Sequence, residues 1–279
     1  MPSLLKDKAG QSFLVASSPH LHAGYSVPKI LWGSVFAFLP VLIGSLVFFG
    51  WDGVRILFLA VGSAIGFEWL FRTFIGEKSQ VQNGSTVLFG VLFAFLMPPM
   101  VPWPLILFGS FVAVVIGKEM FGGLGQYLFH PALVGYATLF ALFPYEMTRY
   151  GSPVLGGRSI VAILTSGVIL IAKERIPWQM PFLYLATFGI GSWIIGRAPV
   201  SELLQGSIFL GAFLFITDLV TTPVTQGGRS LFAIGSGILT VSVRTWADYS
   251  SAMAFSILLA NALVPLLDRF IRPRSRGIW

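Results

Sequence analysis

The sequence predicts an all-α polytopic membrane protein of about ten transmembrane helices, folded as two five-helix halves of opposite orientation. Three observations predict this. Only 10% of the 279 residues are charged and mean hydropathy is +0.82, whereas soluble domains carry about a quarter charged residues. Apolar stretches recur along the chain near 30–50, 54–74, 85–99, 103–118, 127–144, 159–173, 178–196, 203–219, 229–244 and 252–268. The third observation is that these stretches pair across the midpoint. NGSTVLFGVLFAFLMPP from Asn83 and QGSIFLGAFLFITDLVTTP from Gln205 both open on an amide and Gly-Ser and close on proline. The stretches that follow them end at Lys118 and Arg244, and the fifth and tenth finish as TLFALFP and LLANALVP. Elements five crossings apart run in opposite directions, so the pairing describes a 5+5 inverted repeat.

Taken in order, residues 1–28 are polar and mixed, without the charged, apolar and small-residue succession of a cleaved signal, and are expected on the cytoplasmic face. Residues 29–144 form the first repeat, 145–158 an outer loop, 159–270 the second repeat and 271–279 a basic tail. The stretches at 85–99 and 159–173 fall short of the roughly 20 residues that cross a bilayer, as broken or half-crossing helices do. With both termini inside, only Arg55, Arg149, Arg158, Arg197 and Arg244 of the 18 basic residues fall outside, which satisfies the positive-inside rule. Trp51, Trp103, Trp178 and Trp193 sit near span ends, where interfacial anchors belong.

Composition also excludes. The net charge of +7 lies in loops on one side, so nucleic acid is not the expected partner; the bilayer is. Cysteine is absent, which removes disulfides, thiolate-held iron–sulfur clusters and cysteine catalysis. His20, His22 and His130 have no metal-ligand spacing, and no Ser/His/Asp constellation is legible, so no metal site is expected and redox chemistry would belong to a bound cofactor.

Two turns carry the remaining signal. Lys118-Glu119 is followed by FGGLGQ and then by a His130-Pro131 step into the next span. Gly122, Gly123 and Gly125 fit either a helix C-cap beside a snorkelling lysine or a backbone nest aimed at a ligand. In the second turn, Asp218 leads into Thr221, Thr222, Pro223, Thr225 and Gly227-Gly228. An acid at that depth pairs, coordinates a cation or relays protons, or else it is an interfacial carboxylate at a helix end. Glu68 with Arg72 at i+4, and Asp268 with Arg269, read as structural ion pairs.

The strings NGS-x6-LFAF-x-MPP and VIGKE-x-FGGLGQ-x-x-FHPALVGYA, with TDLVTTPVTQGGR and VPLLDRFIRPR further on, resemble the D subunit of Rnf ferredoxin:NAD oxidoreductases and the B subunit of sodium-pumping NADH:quinone oxidoreductases. The resemblance covers roughly residues 25–275. It implies a ten-span fold like that of ammonium and urea transporters. It also implies a flavin-bearing subunit of a multi-subunit complex in a bacterial cytoplasmic membrane, coupling electron flow to Na+ or H+ movement. By the same resemblance, Asn83, Gly84, Ser85, Lys118, Glu119, Gly122, Gly123, Gly125, Pro131 and Gly135 fall in the family's cofactor or quinone region, and Asp218 on its cation-handling acid. His130, Thr221, Thr222 and Thr225 complete the expected cofactor-binding set, with Asp218 as the ion pathway. The chain departs from the family in one respect that matters. The Ser-Gly-Ala-Thr-like tetrapeptide that esterifies FMN is absent, and YEMTRYGSPVLGGR at 145–158 offers only Thr148 and Ser152 besides tyrosines. Residues 250–253, SSAM, also replace the family's Pro-Glu-Gly-like residues, and the chain is short for the family. The expectation is therefore FMN or riboflavin held without a covalent bond, or a quinone. A cofactor-free structural or ion-channel subunit on the same fold is the alternative.

Overall fold

A computed structural model describes residues 4–6, 12–14, 26–149, 160–204, 206–247 and 249–271. His20, His22, Ser152, Gln205 and the tail from 272 lie outside them. A two-stranded antiparallel ribbon, β1 (Leu4–Lys6) and β2 (Ser12–Leu14), pairs Leu4 with Leu14. The other described elements are helical. The first half runs α1 (Val27–Ala37), α2 (Leu39–Phe74), α3 (Ser85–Leu96), α4 (Trp103–Phe111), α5 (Pro131–Leu142) and the short α6 (Pro144–Arg149). The second runs α7 (Ile160–Ala172), α8 (Gln179–Ile194), α9 (Pro199–Leu203), α10 (Gly206–Leu210), α11 (Gln226–Arg244) and α12 (Tyr249–Phe270).

Among the described residues, helix occupies part of each of the ten predicted stretches. The chain from Val27 to Phe74, Trp103–Phe121 and Ser251–Phe270 are helical runs long and apolar enough to cross a bilayer. Ser85–Leu96, Pro131–Leu142, Ile160–Ala172 and Gly206–Phe215 are apolar but shorter. Within α2, Gly50 leaves helical geometry at φ 54° and ψ −129°, dividing the run where Trp51-Asp52-Gly53 separates the first two predicted spans. The exterior is apolar: Phe58 and Val161 are 74% and 78% exposed, which suits acyl chains and would be a liability in water.

Two elements lose the regular ladder. After α4, Val112–Ile116 form a π-helical turn closed by Gly117 N–H to Val112 O at 2.8 Å. After α10, Gly211–Phe215 do the same, closed by Ile216 N–H to Gly211 O at 3.0 Å. Such turns re-aim the chain by one residue and are frequent at functional sites. Here they deliver Lys118 and Asp218.

The helix α3 rests on α1, α2 and α5, and α4 with its π turn packs on α2 and α5. In the second half, α10 rests on α7 and α12, and α11 packs on α8 and α12. Contacts of α5 with α12 and of α7 with α1 and α2 join the halves. Small residues permit a close crossing: a Cβ on Gly135 of α5 would lie 2.5 Å from Gly109 O and 2.9 Å from Ala113 Cβ on the α4 side. Gly135→Val should therefore force α4 and α5 apart and cost about 1–3 kcal/mol. Chemical unfolding in mixed micelles measures this, and an unchanged midpoint would count against the packing described.

Candidate functional site

The end of α2 and the residues that follow the π turn after α4 carry four charged side chains into the interior. Glu68, Lys118 and Arg72 have side chains 0%, 0% and 3% exposed, and Glu119 is 2% exposed. Lys118 Nζ lies 3.1 Å from Glu68 Oε2 and 3.2 Å from Glu119 Oε1, and donates to Thr86 Oγ1 at 2.7 Å. Thr86 passes its own hydroxyl hydrogen to Glu68 Oε2. Arg72 meets Glu119 Oε2 at 2.9 Å, Glu68 Oε1 at 3.7 Å and the exposed Glu77 at 3.0 Å, and Gln80 N–H caps Glu68 Oε1 at 3.0 Å. Two buried acids face two buried bases, so the group is neutral and closes α2, α3 and α4 together. Lys118 does not snorkel. The Glu68–Arg72 pair exists, but Glu68 also anchors Lys118, a link that i+4 spacing does not reveal.

The first glycine turn hangs from this cluster. Gly122, Gly123 and Gly125 have φ of 105°, 90° and 90°. Gly122 N–H returns to Glu119 O at 3.0 Å and Gly123 N–H to Lys118 O at 3.1 Å. These two glycines thus act as a C-cap, and their N–H groups are engaged rather than aimed at a ligand. A Cβ on Gly123 would lie 2.6 Å from Arg72 Nη2, so the backbone there runs directly over the guanidinium. Gly125 faces elsewhere, into a cavity.

That cavity has a volume of about 340 Å³ and lies where α1, α3, α7 and both glycine-bearing turns converge. Leu31, Leu88, Phe89, Leu92, Phe213 and Leu214 supply apolar walls; Ser34, Tyr127, Thr217, Asp218 and Arg175 supply the polar groups. It joins Gly125 and Tyr127 of the first turn to Asp218 of the second, residues 91 positions apart or more that only the fold brings together. The Asp218 carboxylate, which lines the cavity with Tyr127, accepts from Thr221 N–H at 3.2 Å and Thr221 Oγ1 at 3.1 Å. Thr222 Oγ1 donates to Asp218 O at 2.8 Å. Thr225 caps α11 by accepting from Gly228 N–H at 3.1 Å, so its hydroxyl serves the helix. Among the described residues no base pairs with Asp218, and no group of metal ligands occurs.

Behind the cavity sits His130, fully buried at the start of α5. Its ring meets Phe89 edge to face at 5.7 Å and Phe215 at 5.1 Å, and neither ring nitrogen has a partner among the described residues. Asn261 of α12, with its amide turned to satisfy both neighbours, accepts from His130 N–H at 3.2 Å and donates to Ile257 O at 3.3 Å. The N-terminus of α3 is set apart from the cavity. Gly84, at φ 79°, packs on Trp32, whose Nε1 donates to Gln82 O at 3.0 Å, and Asn83 closes the preceding 3-10 turn. The Ser85 hydroxyl is buried without a partner among the described residues, next in sequence to Thr86 of the ion cluster. Asn83 and Gly84 therefore belong to the turn against Trp32 and Ser85 adjoins the ion cluster, while Gly125, Thr217 and Asp218 line the cavity. Within α6, Thr148 Oγ1 donates to Pro144 O at 2.8 Å, a local helical bond. Asp268 accepts from Val224 N–H at 3.0 Å and so braces the second turn. Sequence reasoning did not single out Tyr127, Thr86, Thr217 or Arg175, because each lacks a distinctive spacing and becomes polar lining only through tertiary contact.

The family model described as NQR2, RnfD, RnfE matches residues 14–154 and 151–277. The chain is 32% identical to the D subunit of the Na+-translocating ferredoxin:NAD+ oxidoreductase complex of Acetobacterium woodii, over 95% of both chains. It is 30% identical to the D subunit of the proton-translocating ferredoxin:NAD+ oxidoreductase complex of Clostridium ljungdahlii, over 95% of this chain and 96% of that one. It is also 30% identical to the D subunit of an ion-translocating oxidoreductase complex of Methanosarcina acetivorans, over 95% and 98%. The Clostridium alignment has 318 positions against 279 residues here, so that relative carries segments this chain lacks. Apolar helices throughout and these relatives together describe a multi-pass membrane protein, and the chain belongs to the NQR2, RnfD, RnfE family.

Proposed function

We propose that this chain is a membrane subunit of an ion-translocating electron-transfer complex, and that the cavity between its two glycine-bearing turns holds a flavin, without a covalent bond, or a quinone. The observation that carries the reading is the cavity itself. It unites the two motifs that stand out in the sequence, and its volume lies within the roughly 300–1,000 Å³ usual for small-molecule sites. Its composition fits the group: flat apolar walls from Phe89, Leu92, Phe213 and Leu214, and a few hydrogen-bonding groups at Tyr127, Thr217 and Ser34. Such a cofactor, when bound, would supply the one- or two-electron chemistry that no side chain here can. The chain's own residues would orient it, exclude water from it and hold a carboxylate beside it. The capped form of Gly122 and Gly123 limits their part to shaping the turn, with Gly125 and Tyr127 in contact.

The two halves would span the membrane as inverted repeats, with about ten crossings and both termini cytoplasmic. Supporting this, the helix contacts recur in order between halves, and each has a buried carboxylate near its fourth-span cation: Glu68 at Lys118, and Glu202 3.8 Å from Arg244. Asp218 would then line the cavity as the acid through which Na+ or H+ passes, its carboxylate held by the hydroxyl and N–H of Thr221.

Asp218→Asn tests this in the whole complex. Coupled ion movement into vesicles should fall by about tenfold or more, the scale on which losing one charged group from a site costs over 1.4 kcal/mol. Stability should change by less than about 1 kcal/mol, since Asp218 is only half-buried and bonded to neutral partners. Undiminished ion transport in the variant would remove Asp218 from the pathway.

A further inference from the structure

A second cavity of about 420 Å³ opens beside the first and shares Arg175, Ile176, Thr217 and Leu219 with it. Its character is different. Arg175 and Arg229 line it with Thr222 and Trp178, and the exposed Glu174 lies at its rim. Arg55, Arg72, Arg197 and Arg244 each meet a carboxylate within 3.9 Å. Arg175 and Arg229 meet none among the described residues, although both are partly buried and share one cavity. Their visible bonds are to neutral carbonyls: Arg175 donates to Ile30 O and, at 3.5 Å, to Lys29 O, and Arg229 Nε donates to Pro223 O at 3.0 Å. That leaves Nη hydrogens on both guanidinium groups for another acceptor.

The placement of Arg175 is built, not incidental. Glu174, immediately before it, is the only non-glycine described residue with positive φ, at 54°, a conformation that costs energy and persists where the surroundings enforce it. The guanidinium then crosses α1 at Gly33, where any Cβ would overlap it. A strained turn on one side and a notch on the other hold one cation at the junction of an apolar chamber and a polar vestibule.

We propose that Arg175 and Arg229 bind the phosphate of an amphiphilic ligand whose apolar part fills the adjoining chamber. The inference rests on the chamber reading above and sharpens it: the ligand carries a phosphate, as FMN does and as riboflavin and quinones do not. A phospholipid headgroup offers the same chemistry from another source.

Calorimetric titration of the full chain in maltoside micelles with FMN, riboflavin and a soluble short-chain phosphatidylglycerol separates the cases. FMN should bind at least about tenfold more tightly than riboflavin, as two charge-assisted contacts imply. In Arg229→Gln that advantage should vanish while riboflavin affinity stays, which also shows that the variant is folded. A measurement without any variant complements it: salt raised from about 0.05 to about 0.5 M should erode the FMN advantage and leave riboflavin unaffected. Phosphatidylglycerol binding that depends on Arg229, with no flavin bound, would support the phosphate site and overturn the flavin reading. Equal affinity for FMN and riboflavin, or an advantage insensitive to salt, overturns the phosphate site and leaves the chamber reading standing. Binding of none of the three ends the phosphate site and the flavin reading of the chamber together.

Discussion

Lys118→Met should destabilise the protein by about 3–5 kcal/mol, the largest loss expected from any single side chain here. The substitution preserves much of the volume but leaves Glu68 and Glu119 facing Arg72 alone, with one buried carboxylate uncompensated. The penalty arises from the orphaned charge, not from the intrinsic strength of the pair. The double variant Glu68→Gln with Lys118→Met should accordingly recover most of the loss, because it removes one charge of each sign. Unfolding by detergent titration of wild type, both single variants and the double gives the coupling directly. A single-variant loss below about 1 kcal/mol, or simple additivity in the double, would show that the four charges do not act as a unit. The consequence extends beyond stability. The cluster fixes Glu119, Gly122 and Gly123, and through them the turn that presents Gly125 and Tyr127 to the cavity, so the Lys118→Met complex should also lose cofactor during purification.

Leu214→Trp should lower cofactor retention by at least about tenfold without destabilising the fold. Leu214 is 4% exposed and lines the 340 Å³ cavity, so an indole has space to enter it. Filling a void usually stabilises or is neutral, whereas a ligand competing with an indole loses over 1.4 kcal/mol for each tenfold in affinity. Thermal unfolding and flavin or quinone content of the gently purified complex are read on the same sample. A more stable protein with depleted cofactor fits the account. Full cofactor content in a stable variant would move the binding site elsewhere.

Much of the helical plan was legible because lipid leaves the chain so few options. Backbone polar groups must be satisfied internally, so apolar stretches become helices, and glycine clusters beside charge mark where a helix stops. Lys118, the three glycines of the first turn and Asp218 were visible on that ground. The π-helical turns were not, since nothing in VAVVI or GAFLF distinguishes them from regular helix. Nor was the Glu68–Lys118 contact, which joins residues 50 positions apart and competes with an equally good local partner in Arg72. The glycine turn illustrates the limit well. Sequence leaves cap and nest as alternatives, and the structure divides them, with Gly122 and Gly123 capping and Gly125 facing the cavity. Tyr127 and Arg175 escaped notice because aromatic and basic residues near span ends have ordinary interfacial roles. Only the convergence of α1, α3 and α7 turns them into lining.

The most direct test is an experimental density map of the complex, purified gently enough to keep dissociable ligands, inspected between Phe89 and Phe213. A planar feature there, within hydrogen-bonding distance of Tyr127 or Thr217, is the predicted result. Acyl chains or collapsed side chains filling that space, with every redox group of the complex located elsewhere, would contradict it.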